Sequence, residues 1–347
     1  MSIDNEWLLF KNKQNNNYDN IKTICTVEKT AQKAPKCSEI YISTQTKIAY
    51  LNQKIDLNKL FWDIPIINYF SPKNGVIKKS IKINSNSQTD SDTLKNIISN
   101  HKNIFVTQLS YINNKKKFKD IKKIDIGLCD KDIISYRKKQ KGAFYNCFAL
   151  ILRIFYNNKF REVHVKIFNT GKLEIPGIQY DELLTITLDN LITIIQPFID
   201  TKVSYNENDI NTVLINSNFT CGYYLDRFKL FQKLKYKYNI QASYDQCSYP
   251  GIQSLFYYNL DNKEHNGVHI KDANNSGVWK KISFMIFRTG SVLIVGNCNK
   301  YILNIAYNFI KQVLREEFSD IFVSINNINK KKPSKKVRKK IIKLDIK

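Results

Sequence analysis

One segment of this chain occurs twice. Ile167-Phe-Asn-Thr-Gly-Lys-Leu-Glu-Ile-Pro-Gly177 aligns with Ile286-Phe-Arg-Thr-Gly-Ser-Val-Leu-Ile-Val-Gly296 at a shift of 119 residues. The same shift carries Leu184 onto Leu303, Leu191 onto Ile310, Ile194 onto Val313 and Ile195 onto Leu314. A duplicated supersecondary unit restricts the fold more tightly than composition does, because each copy must bury its apolar face in the same way. In each copy a Thr-Gly turn separates two alternating apolar runs, which predicts a β-hairpin with Gly at the positive φ such a turn needs. A second Gly, six residues on, ends the strand, and apolar residues at helical spacing follow.

Each copy therefore reads as antiparallel strands closed by an amphipathic helix. Two such halves can pair edge to edge into one curved sheet, which hides the edge strands. Each helix has a single apolar stripe, so helices cover one face of the sheet and leave the other open. An open face carrying Phe, Tyr, Leu and Ile demands a partner. Charge indicates which kind. Lys and Arg number 55 against 30 Asp and Glu, a net charge of +25. The tail from Lys330 to Lys347 holds ten basic residues and one acidic residue, so most of the excess lies elsewhere. Such an excess suits an anionic partner, nucleic acid before membrane.

The remaining pattern sets the organisation. Residues 1–37 read as a loosely ordered extension. A strand is expected over 39–50, a helix from Asp56 limited by Pro65, and a strand over 74–85. Residues 86–142 have a different character: a polar linker, a short helix near 92–100 and the basic runs at Lys115 and Arg137. They read as an insertion in a first repeat spanning 38–200. Strands follow at 143–156, 160–169 and 172–178, then a helix over 181–199. The second repeat, 201–325, is read as a strand over 212–224, a helix over 226–238, strands at 251–258, 280–288 and 291–296, and a helix over 299–318. Residues 326–347 form a basic tail, read as an import signal, a DNA arm or a solubilising segment.

The duplicated Ile-Phe-x-x-Gly hairpin, with Tyr249-Pro-Gly-Ile252 in the second half and Ile55-Asp-Leu-Asn-Lys-Leu60 in the first, resembles the TATA-box-binding protein family. The likeness is greatest to the diverged members carried by large nucleocytoplasmic DNA viruses. It covers about 38–84, 143–200 and 210–320. The resemblance implies an α+β, TBP-like saddle: two pseudo-symmetric halves forming one curved antiparallel sheet with helices on the convex face. It implies wedge aromatics that kink the duplex from the minor groove: Phe168 and Phe287, with Tyr249 as partner in the second half. The first-half partner falls within Phe144-Tyr-Asn-Cys-Phe148, with Phe148 preferred and Phe144 and Tyr145 behind it. Thr44, and Asn216 or Asn218, stand near the family's groove-reading Asn. Arg153, Lys166, Lys172 and Arg288 flank the groove strands and are expected at phosphates. The chain departs from the family where a groove-reading Thr is expected: Ile175 and Ile294, or Pro176 and Val295, stand there, with Glu174 beside them.

No catalytic constellation is present: no Walker loop, GxSxG or HExxH. The four His, at 101, 164, 265 and 269, do not have metal-ligand spacing, and the seven Cys include no CxxC. No enzyme activity, cofactor or metal is expected. No apolar run reaches the length of a membrane span. The expected function is a monomeric transcription initiation factor that binds and bends A/T-rich double-stranded DNA and recruits initiation factors or RNA polymerase. Two rivals stand beside it: a protein-interaction scaffold that keeps the saddle without TATA recognition, and a virion DNA-associated protein. The expected location is the host nucleus or a cytoplasmic viral factory, with packaging in the virion as a further option.

Overall fold

A computed structural model describes residues 33–101, 104–114, 117–134, 146–260, 265–269 and 279–324. The basic tail, the N-terminal extension up to residue 32, the Arg137 run, Phe144 and Tyr145 lie outside the described residues. All the strands belong to one sheet in the order β3-β4-β2-β5-β6-β7-β1-β8-β12-β11-β10-β9. The first half supplies β1 (Tyr41–Tyr50), β2 (Gly75–Ser85), β5 (Cys147–Tyr156), β6 (Lys159–Phe168) and β7 (Lys172–Ile178). The second supplies β8 (Asn211–Thr220), β9 (Gln241–Ser243), β10 (Gly251–Tyr258), β11 (Lys280–Phe287) and β12 (Ser291–Gly296). Every ladder is antiparallel. The architecture is α+β, an open sheet with its main helices on one face, as the repeat predicts.

The halves join where β1 pairs with β8. Thr44 lies opposite Asn216, Gln45 opposite Ile215 and Thr46 opposite Leu214. A shift of 170 residues maps the start of one half on the other. Leu51 N–H donates to Gly171 O at 2.9 Å, as Cys221 N–H does to Gly290 O at 2.9 Å. Asp56 and Asp226 then cap equivalent helices, each accepting two backbone N–H groups. Under that shift the Thr44–Asn216 pair and the Thr46–Leu214 pair exchange, so a pseudo-twofold axis passes beside Gln45 and Ile215.

Alternation divides the strands between two faces. Val163, Val165 and Ile167 of β6, with Ile282, Phe284 and Ile286 of β11, are buried on the helix face. Over the first half lie α1 (Leu57–Asp63) and α4 (Asp181–Ile195); the latter inserts Leu184, Leu188, Leu191 and Ile195. Over the second lie α5 (Arg227–Gln232), which continues as a π-helical turn over Lys233–Lys237, and α6 (Lys300–Glu316). α6 buries Leu303, Tyr307, Ile310 and Leu314, the residues that the 119-residue shift equates with the stripe of α4. The helix expected to run to 199 stops at Ile195, and Pro197 follows within a 3₁₀ turn. Pro there lacks the N–H that the α ladder needs.

The chain between β2 and β5 folds onto the saddle. α2 (Gln88–Ser99) begins earlier than its apolar spacing suggests, because Ser87 and Asp90 form a capping box. β3 (Ile104–Asn114) and β4 (Lys117–Gly127) are a hairpin that prolongs the sheet beyond β2. The lysines and aspartates of β4 and the polar residues of β3 hid the strand period from a reading of hydrophobicity alone. Asp120 ties the unit together: it accepts from Ser91 Oγ at 2.6 Å, Lys122 Nζ at 2.6 Å and Gln108 Nε2 at 2.7 Å. Burial pushes this carboxyl up, but those bonds outweigh it and hold Asp120 below the usual carboxylate range. Lys79 plays the matching part under α1, where its ammonium donates to the carbonyls of Phe61, Trp62 and Ile64. Burial brings its pKa down to about 8.

Gly290 explains the duplicated Thr-Gly. Its φ is +81°, and a Cβ there would stand 2.2 Å from the Tyr223 carbonyl oxygen. Gly290→Ala is therefore expected to cost several kcal/mol, since strain and clash coincide; urea unfolding monitored by circular dichroism measures it. A second expectation concerns Glu317, which joins α5 to α7 (Phe318–Ile321) through Lys233, Lys237 and Tyr238. Burial raises its pKa, but the bonds from these partners prevail and bring it down to about 2. A carboxylate depressed on folding contributes stability above its unfolded pKa and loses it as pH falls toward the folded value. Unfolding free energy should therefore fall as pH drops from about 4.5 toward 2, and Glu317→Gln should flatten that part of the curve.

Candidate nucleic-acid interface

The open face is built from the side chains that alternate away from the helices. In the second half these are Ser283, Met285 and Phe287 of β11, Ser291, Leu293 and Val295 of β12, and Leu255 of β10. All are half-buried among their neighbours. Tyr249, at the turn before β10, stands against Phe287 with ring centroids 5.9 Å apart and planes at 57°. Gly251 makes room for the pair: a Cβ there would lie 3.1 Å from both rings. Phe287 and Tyr249 thus form one aromatic edge at the end of the open face.

The first half presents Phe168 on the same face, directly opposite Cys147. Lys172 holds its ammonium 5.4 Å from the Phe168 ring centroid, within cation–π range. Lys166 pairs with Glu174 across the β6–β7 ladder, Nζ to Oε1 at 2.6 Å. At the seam, Asn216 Nδ2 donates to Thr44 Oγ1 at 3.1 Å, so these two residues form one polar patch beside the pseudo-twofold axis. Arg288 is exposed in the turn after Phe287.

Two expected site residues lie elsewhere. Phe148 is fully buried on the helix face, edge-on to Phe61 at 5.8 Å. The cause is register. The two-residue turn Asn157-Asn158, with φ of 50° and 58°, sets Tyr156 opposite Lys159 and hence Phe148 opposite Ile167. Residues directly opposite share a face, and Ile167 faces the core. Counting back from that turn would have shown this in the sequence. Tyr249 stands two residues before Gly251, which faces Phe287; two residues before Cys147, which faces Phe168, stands Tyr145, outside the described residues. Arg153 is the second correction. It is 8% exposed, lies 4.6 Å from the Tyr69 ring and donates to the carbonyls of Tyr69 and Ser71. It secures the loop after α1 instead of meeting phosphate.

That loop covers part of the open face. Ile67 and Tyr69 pack with Ile77, Cys129 and Ile151 in a small second core at the outer end of the first half. α3 (Asp130–Ile134) adds Asp132, whose carboxylate takes Lys78 Nζ at 2.8 Å. The sequence reading missed this cover, because nothing in the apolar run after Pro65 shows on which side of the sheet it lies. Among the described residues, no group of three or more His, Cys, Asp or Glu could hold a metal ion. Among them, too, no helix is long and apolar enough to cross a membrane.

Over 213 residues the chain is 28% identical to the TATA-box-binding protein-like protein of Acanthamoeba polyphaga mimivirus, an alignment that takes in 55% of this chain and 54% of that protein. The chain is similar to a viral TATA-box-binding-protein-like protein. It spans about half the length of that curated relative. A solved structure, Methanococcus jannaschii TBP, aligns over 80% of this chain and 99% of its own, with a TM-score of 0.39 and 14% identity. No family model matches the chain. The resemblance read from the duplicated hairpin thus agrees with the sequence relative.

The two faces predict opposite responses to truncation. Phe148→Ala should destabilise the fold by about 3–5 kcal/mol through the cavity it leaves. Phe287→Ala, on the open face, should cost about 1 kcal/mol or less. Chemical denaturation of both variants checks the assignment.

Proposed function

We propose that the chain is a TBP-like transcription initiation factor that binds double-stranded DNA through its open face, enters the minor groove and bends the duplex. The Tyr249–Phe287 pair carries this reading: two aromatic rings at the groove's end, cleared by Gly251 and, among the described residues, on the face away from the main helices. Wedges of this kind partly unstack a base step and kink the duplex, and A/T-rich steps deform at low cost. Lys172 and Arg288, placed beside the wedge strands, neutralise phosphates and release counterions. The convex helices are left to hold initiation factors or the polymerase. The chain acts as a monomer with internal pseudo-symmetry, in the host nucleus or a viral factory.

One observation favours the scaffold as a second reading. Ile67 and Tyr69 occupy the outer first-half end of the open face, which shortens the groove. Fluorescence anisotropy with an A/T-rich duplex, over a series of salt concentrations, separates the two. The DNA reading expects affinity that falls steeply with salt. It also expects Phe168→Ala combined with Phe287→Ala to abolish bending, read by energy transfer between duplex ends, and to weaken binding at least about tenfold. Tyr145→Ala should weaken bending where Phe148→Ala acts on stability. Absence of binding at low salt removes the DNA reading and leaves the scaffold.

A further inference from the structure

One cross-strand pair on the open face differs in chemistry between the two halves. Lys166 lies opposite Glu174 in the β6–β7 ladder, and Met285 lies opposite Leu293 in the β11–β12 ladder. The 119-residue shift sets Lys166 on Met285 and Glu174 on Leu293. One half therefore floors its groove with two apolar side chains. The other presents a carboxylate whose Oε1 takes the Lys166 ammonium at 2.6 Å, while 26% of the Glu174 side chain stays exposed on the open face.

Minor-groove chemistry reads that difference. An A·T pair shows only acceptors there, whereas a G·C pair adds the guanine N2 amino donor. An apolar floor accepts A·T edges and strips the guanine amino group of water without replacing its hydrogen bond. An ionised carboxylate is an acceptor only: it repels adenine N3 and thymine O2 and takes the amino group. We propose that Glu174, oriented by Lys166, makes the first half select a G·C pair within a site that is otherwise A/T-rich, so that the chain binds its site in one direction. This specificity rests on the minor-groove reading proposed above.

The test uses the full chain and four duplexes of equal length: A/T throughout, a single G·C pair in one half, the same pair as inosine·C, and a G·C pair in both halves. Inosine lacks only the N2 amino group. The wild type is expected to bind the single-G·C duplex about tenfold more tightly than the A/T or inosine duplex. A G·C pair in both halves should lose that gain, because Met285 and Leu293 then meet the second amino group. Glu174→Leu should reverse the preference toward A/T, with circular dichroism confirming an unchanged fold. A wild type that is indifferent to the amino group, or a variant that keeps the G·C preference, overturns this inference and leaves minor-groove binding standing. Failure to bind any of the duplexes overturns both.

Discussion

The pairing of β1 with β8 sets the geometry of everything else. Either strand alone would end its half in a row of unpaired backbone groups beside an apolar surface. Joined antiparallel, the two edges satisfy each other, and Gln45 and Ile215 meet at the pseudo-twofold axis. Because equivalent strands pair about that axis, α4 and α6 fall on the same face of the sheet. Phe168 and Phe287 fall on the other face, in opposite halves. A different seam would not keep the helices and these aromatics apart in this way.

Symmetry of backbone does not impose symmetry of chemistry. The second half keeps an apolar groove floor and a clean aromatic edge at Tyr249 and Phe287. The first half replaces part of that floor with an ion pair and closes its outer end with Ile67 and Tyr69. It also carries the β3–β4 hairpin, held by the Asp120 cluster, as an extension of the sheet. These differences lie in side chains and in one insertion, so the ladder tolerates them. Backbone hydrogen bonds depend on φ and ψ, not on whether Met or Lys projects from the strand.

Much of the fold was legible because its signals are local and repeated. The Thr-Gly hairpin and the helix start at Asp56 follow from local spacing, and the stripe on α6 from its repetition at a shift of 119 residues. The insertion was less legible, since β4 breaks its apolar residues with lysine and aspartate, β3 is polar over its second half, and its helix is fixed by a capping box. Of the interface, Phe168, Phe287 and Tyr249 were singled out through the family resemblance, and they stand on the open face. Thr44 and Asn216 were found separately, and the ladder showed them to be one hydrogen-bonded pair. Phe148 and Arg153 were misplaced for different reasons. The first depends on strand register, counted from a turn. The second depends on a loop that returns across the sheet.

The sequence by itself determined that two like units exist, that each is a hairpin followed by an amphipathic helix, and that one face of their strands stays apolar and aromatic. Those properties are periodic, and periodicity survives without coordinates. Only the tertiary structure decided which strands meet at the seam, which side of the sheet each aromatic occupies, and that Arg153 serves a loop 82 residues before it in the chain, at Ser71. Such contacts join residues far apart in the chain, and they form only because the whole sheet has already brought their strands together.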